Sequence, residues 1–354
     1  MSTEHPEIKS EIKALTGLRG IAAIYVVLYH MTGHYHFPDA IRPFIKHGYI
    51  SVDLFFILSG FVMALTYGKL FIHGFKWPDY KRFLWVRLAR VYPLYLLMTV
   101  ITAILIVTVL GKTYFREDIV RAIIPNLTMT QAWGLANSIV RPTWSISTEW
   151  MAYLLFPTFV WAALRAPKRV AMAGAAISLS VLALIAFGPT VLAKTELLRR
   201  TGPLDIASSY APGTMLRCLA SFFIGLVAYR LRDFVSAKWV TPTVIAILAL
   251  LLWRFSDIAL IAAFMVLIMA LSHDQGSIAR AINVNWVHGL GLLSYAIYLI
   301  HDAVLYLMFK AAPPLPGPKE LWLIISMAVT IGLSALAHYG FEVPSRRFIR
   351  RFVK

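Results

Sequence analysis

The chain has 354 residues, of which 59% are hydrophobic and 14% charged, far more apolar than the roughly 45–50% and 25% of an ordinary soluble domain. This excludes a soluble globular protein and gives an all-α membrane protein, a polytopic bundle whose first partner is the lipid bilayer. The net charge of +17 would imply nucleic acid in a soluble chain, but here the basic residues fall largely between apolar runs, where they set orientation, so nucleic acid is set aside.

Residues 1–18 are polar and charged, and no small-residue cleavage site follows the first apolar stretch, so the start reads as a retained anchor. Apolar runs long enough to cross a bilayer then occur near 19–36, 49–67, 83–110, 144–164, 170–193, 210–230, 238–253, 255–272, 287–310 and 320–342, which predicts about ten transmembrane helices. The seventh and eighth are parted only by Arg254, Ser256 and Asp257, and their merger would reverse everything after them. With the amino terminus in the cytoplasm, 21 Lys and Arg fall on the inside and 12 on the outside, with Arg217 left within a span; the excess and the basic tail RRFIRRFVK put both termini in the cytoplasm. The outside connection 111–143 alternates polar and apolar residues and could lie along the membrane surface, and APPLPGPK at 312–319 is a rigid turn. Cys218, the single cysteine, lies in an apolar run and has no intrachain partner. One integral-membrane domain over 1–354 is expected, with no appended soluble domain.

The first span, in LTGLRGIAAIYVVLYH, carries Arg19 and His30. Eleven steps of about 100° return to within about 20° of the starting direction, so both side chains share one helix face, about 16 Å apart in depth. Ionisable groups in such segments usually face the protein interior or a water-filled cavity. The bland alternative is a snorkelling arginine and a histidine satisfied by a neighbour. The third span opens with FLWVRLARVYP, whose Arg87 and Arg90 share a face, and with Arg19 they would suit a phosphate-bearing ligand, although flanking charge alone would also place them there.

From the outer side Asp53 and Glu149 reach the depth of His30, with Trp144, Ser145, Ser147 and Thr148 around Glu149. A carboxylate beside a histidine fixes its tautomer and raises its basicity, as general-base chemistry needs, whereas Asp53 could instead pair with an arginine. In the ninth span Ser294, Tyr298 and His301 lie on one face with Tyr295 close by, either lining a cavity or bonding helices together. Glu342, beside several arginines, reads as an ion-pair partner. His30, His34 and His36 lack an acidic partner at ligand spacing, so no metal is expected.

In order along most of the chain, LTGLRGIAAIYVVLYH, GYISVDLFFILSGFV, FLWVRLARVYPLYLL, TWSISTEWMAYLLFP, LSYAIYLIHDAV and FEVPSRRFIRR resemble the membrane-bound acyltransferase 3 family. The resemblance implies that His30 is the catalytic histidine, that Arg19 is required with it, that the family's basic pair falls on Arg87 and Arg90, and that its acidic residue falls on Glu149. Ser51 stands where the family usually has glycine, and Trp150 where many relatives carry a second acid, which weakens any concerted carboxylate pair.

The implied reaction moves an acyl group, acetyl above all, from cytoplasmic acyl-coenzyme A to a hydroxyl of a carbohydrate or lipid-linked acceptor at the cell inner (plasma) membrane. Arg19, Arg87 and Arg90 would hold the donor; His30 would act as general base or acyl carrier with Glu149 or Asp53 orienting it; Trp144, Ser147, Tyr298 and His301 would bind substrate. The chain would complete the transfer itself or use a separate extracytoplasmic partner, and a homodimer is the other partner expected. The buried charges alone also fit a transporter or flippase for a polar or anionic substrate, but no Gly/Pro-interrupted pair of helices recurs in two related halves.

Overall fold

Apolar runs in a bilayer must satisfy every backbone group internally, and among the described residues this chain does so with helices. The computed structural model describes residues 11–110, 113–311 and 317–352, and no strand occurs among them. Lys9, Lys112, Lys354 and most of the Pro-rich turn lie outside the described residues. The principal helices are α1 (Lys13–Met31), α2 (Ser51–Ile72), α3 (Trp77–Leu105), α4 (Thr113–Leu127), α5 (Trp144–Leu154), α6 (Lys168–Phe187), α7 (Pro212–Leu231), α8 (Val240–Leu250), α9 (Asp257–Leu271), α10 (Asn285–Tyr306) and α11 (Lys319–Ala337).

Seven of the ten expected spans coincide with helices long and apolar enough to cross a membrane: those containing α1, α2, α3, α6, α7, α10 and α11. The remaining three take other forms. The run 144–164 breaks after α5, because Pro157 lacks the N–H that would bond to the Tyr153 carbonyl and its ring crowds that carbonyl; a short helix Phe156–Val160 and a π-helical turn Trp161–Arg165 follow. The runs 238–253 and 255–272 become the shorter α8 and α9, joined by a turn, so they do not merge. Arg254 stabilises that turn from outside by donating to the Leu197 and Arg200 carbonyls at 2.9 and 2.7 Å.

The first helix begins at Lys13 rather than residue 19 and ends at Met31, so Arg19 lies inside it and His30 in its last turn. His34 and His36 fall beyond its end and share no helix face with His30.

Two helix crossings set the positions of the polar groups. A Cβ on Gly60 of α2 would lie 2.0 Å from the Phe222 carbonyl of α7, and one on Gly225 would lie 2.1 Å from the Ile57 carbonyl. In the same way a Cβ on Gly291 of α10 would meet the Thr16 carbonyl of α1 at 2.0 Å. Small residues at these points let the backbones touch, the usual device where lipid offers no hydrophobic drive for helix association. The large apolar side chains left exposed, such as Ile104, Ile177, Ile245, Ile324 and Leu336, stand on the outside of the bundle.

Irregular segments are tied down by buried polar groups. Asn126 donates to the Ala122 and Asn137 carbonyls and accepts from Ile139 N, which fixes the path from α4 towards α5. Asp257, fully buried at the start of α9, accepts from Tyr49 Oη and Leu204 N at 2.7 Å and contacts His47 Nε2 at 3.0 Å, joining three segments far apart in sequence.

Candidate active site

Between α1, α2, α3, α5 and α10 lies a cavity of about 170 Å³, with Arg19, Arg87, Arg90, Ser59, Glu149 and Tyr153 among its lining residues. Arg87 Nη2 donates to Tyr153 Oη at 2.8 Å, and that hydroxyl donates to Glu149 Oε1 at 2.6 Å; Ser59 Oγ donates to the same carboxylate oxygen. Arg90 forms an ion pair with Glu342, which also bonds to His338 Nδ1 at 2.9 Å across the π-helical turn His338–Glu342. Arg19 has neither a hydrogen bond nor an ion pair among the described residues. Arg87 Nε and Ser294 Oγ, both at this cavity, are buried and unbonded among the described residues. Buried donors are nearly always satisfied, so orphans that face one cavity fit an anionic ligand there.

A second cavity, of about 340 Å³, is lined by Tyr29, His30, Arg141, Trp144, Asp205 and Arg217 among others. The two cavities share Val52 and Tyr298. Tyr298 Oη is held at this boundary, 2.8 Å from Ser145 Oγ and 2.9 Å from the Pro142 carbonyl.

His30 Nδ1 lies 2.9 Å from the Val26 carbonyl one turn back. A carbonyl only accepts, so Nδ1 carries the proton and the neutral ring keeps its lone pair on Nε2. His301 repeats the arrangement, with Nδ1 3.1 Å from the Ile297 carbonyl, and its Nε2 approaches His30 Nδ1 at 3.3 Å. Next to it, Asp302 receives Arg141 Nε at 3.1 and 3.2 Å and an Nη2 bond as well; these bonds push the Arg141 guanidinium further towards its charged form.

The expected carboxylate partners of His30 are elsewhere. Asp53 is fully buried in a two-pronged pair with Arg217, at 2.9 Å to Nε and 2.5 Å to Nη2, and also accepts from Ser221 Oγ. Its lone pairs are turned to α7 because an arginine inside an apolar helix needs a counter-ion at the same depth. Glu149 belongs to the arginine cavity, since its position on α5 faces Ser59 of α2 rather than α1. Ser147 lines neither cavity; it accepts from Ala132 N, and its carbonyl accepts from Trp133 Nε1. Trp144 and Tyr298 do line the His30 cavity, and His301 acts on His30 itself. Reading the sequence missed Tyr153, which the i, i+4 spacing from Glu149 could have revealed, and Arg217 as the partner of Asp53. It also missed Asp205, whose loop carries no periodic signal.

The model of an acyltransferase domain, acyltransferase 3, matches residues 12–339. The chain belongs to this acyltransferase family. It is a multi-pass membrane acyltransferase, and the transporter alternative draws no support from these findings. The chain is similar to acyltransferase MdmB of Streptomyces mycarofaciens, 25% identical over 96% of this chain and 93% of the relative. It is 35% identical to protein 2 in the picA locus of Rhizobium radiobacter, over 38% of this chain and 75% of that one. The putative peptidoglycan O-acetyltransferase YrhL of Bacillus subtilis is 24% identical over 95% of this chain but only 55% of its own length. No solved structure matches the chain significantly.

Proposed function

We propose that this acyltransferase moves an acetyl group from acetyl-coenzyme A to a hydroxyl of a carbohydrate or lipid-linked acceptor, in the inner (plasma) membrane, as a bundle of ten spans with both termini cytoplasmic. The observation that carries the reading is the sharing of Val52 and Tyr298 by two cavities, one holding the unpaired Arg19 and the orphaned Arg87 Nε, the other holding His30. Phosphates of the donor fit the first, because guanidinium forks match phosphate oxygens. The pantetheine arm would pass the Tyr298 boundary and bring the thioester to His30, so that binding far from the reacting bond positions it. The O-acetyltransferase among the relatives supports acetyl as the group transferred.

In the transfer, the acceptor oxygen attacks the thioester carbon while His30 Nε2 takes its proton. The C–S bond then breaks, and the imidazolium returns the proton to the coenzyme A thiolate. His301 Nε2 receives part of the His30 Nδ1–H bond and so keeps the ring oriented through both steps. The test is a comparison of membrane glycans from cells with active protein and with His30→Gln, by mass spectrometry. An added acetyl mass that depends on His30 supports the reading; identical glycans, with normal expression of both proteins, sink it. Single-turnover labelling with radioactive acetyl-coenzyme A and no acceptor separates direct transfer from an acyl-histidine, since only the covalent route leaves label on the wild type and none on the variant.

A further inference from the structure

Asp205 sits in an irregular loop, yet its backbone is held from both sides. Leu204 N donates to Asp257 at 2.7 Å, Arg217 Nη1 donates to the Ile206 carbonyl at 3.1 Å, and both flanking side chains are buried. The carboxylate itself accepts Thr201 N at 3.3 Å and Tyr29 Oη at 3.0 and 3.1 Å. Tyr29 precedes His30 in the chain, and their rings lie 5.0 Å apart, edge to face. Asp205 has no ion-pair partner among the described residues, although Arg217 and Arg141 line the same cavity; each is already taken, by Asp53 and Asp302. A carboxylate offers about four lone-pair positions and no donor, so Asp205, which lines the cavity, retains some accepting capacity beyond its bonds to Tyr29 and Thr201.

Resting on the transferase reading, we propose that Asp205 is the acceptor-recognition residue: it takes hydrogen bonds from a hydroxyl next to the one His30 deprotonates, with Trp144 as the apolar wall of the same subsite. Tyr29 is a positioning residue that holds the carboxylate. The acceptor class is an uncharged polyhydroxylated glycosyl unit. A phosphate or carboxylate at that position would meet an uncompensated negative charge and be rejected.

The experiment uses the full chain in lipid nanodiscs and measures melting-temperature shifts with methyl glucoside, methyl galactoside, methyl N-acetylglucosaminide and methyl glucuronide. The proposal requires that at least one uncharged glycoside stabilise the wild type while the glucuronide does not. Asp205→Asn should weaken that apparent affinity about tenfold or more, since a hydrogen bond to a charged group is lost, and Asp205→Glu should recover part of it. If Asp205→Asn does not fold, Tyr29→Phe decides: weaker glycoside binding supports the proposal, whereas a lowered unliganded melting temperature with unchanged binding overturns it. Absence of binding by every uncharged glycoside, or equal binding by wild type and Asp205→Asn, also overturns it. Release of free coenzyme A from acetyl-coenzyme A by the same wild-type samples tests the transferase reading separately; glycoside binding through Asp205 without any such turnover would sink that reading and leave the carboxylate's specificity standing.

Discussion

His301 Nε2 lies 3.3 Å from His30 Nδ1, and each imidazole spends its Nδ1 on the carbonyl four residues before it. The pair is therefore asymmetric: the His301 Nε2 is turned to its neighbour, while the His30 Nε2 makes no hydrogen bond among the described residues and its ring lines the second cavity.

This asymmetry predicts unequal losses. His30→Gln should lower the rate of acetyl transfer by about three orders of magnitude, within the range for removing a general base. His301→Gln removes an orienting bond of about 1 kcal/mol and should lower kcat only about five- to tenfold. Initial rates with radiolabelled acetyl-coenzyme A on the purified full chain measure both; equal losses would show that His301 takes part in the chemistry rather than holding the ring.

Glu149 bonds to Ser59 and Tyr153 at the arginine cavity, the donor side in the proposed function. Glu149→Gln keeps an acceptor oxygen for Tyr153 but removes one negative charge beside Arg19, Arg87 and Arg90. KM for acetyl-coenzyme A should fall by a few-fold, about 1 kcal/mol of relieved repulsion at the donor phosphates. A collapse of kcat with unmoved KM would instead restore Glu149 to His30.

Arg19, unpaired among the described residues, should contribute most directly to donor affinity. Arg19→Ala is expected to raise the dissociation constant for acetyl-coenzyme A by about 10- to 100-fold, the worth of a charge-assisted bond. Equilibrium dialysis against labelled donor checks this without turnover.

Both side chains of the Asp53–Arg217 pair are almost wholly buried. Asp53→Ala strands a buried guanidinium and should destabilise the protein by about 3–5 kcal/mol, whereas Asp53→Leu with Arg217→Met removes both charges and should recover most of that. Thermal denaturation in nanodiscs gives the comparison. A single variant as stable as the double would mean that water reaches Arg217.

Two glycines on α10 separate packing from propensity. A Cβ at Gly291 would strike the Thr16 carbonyl, while at Gly289 it would meet nothing within 4 Å. Gly291→Ala should lower the melting temperature and displace α10 from α1, which carries both Arg19 and His30. Gly289→Ala should be neutral or stabilise by up to about 1 kcal/mol through helix propensity.

The sequence by itself determined the membrane class and placed Arg19 and His30 on one helix, and seven of its ten expected spans fall on long apolar helices, because length, hydropathy and helical period are properties of a single segment. It also grouped the three arginines that line one cavity and gave Glu342 an ion pair, since charges at span ends are confined to a narrow depth, but the partner, Arg90, came only from the packing. Which buried acid faces which base was decided by the tertiary structure alone. Depth put Asp53 and Glu149 near His30, but the close crossing of α2 with α7 at Gly60 and Gly225 gives Asp53 to Arg217, and α5 turns Glu149 towards Ser59. Depth along the membrane normal is written in the order of residues; rotation about each helix axis is fixed only when helices pack, and rotation chooses the partners.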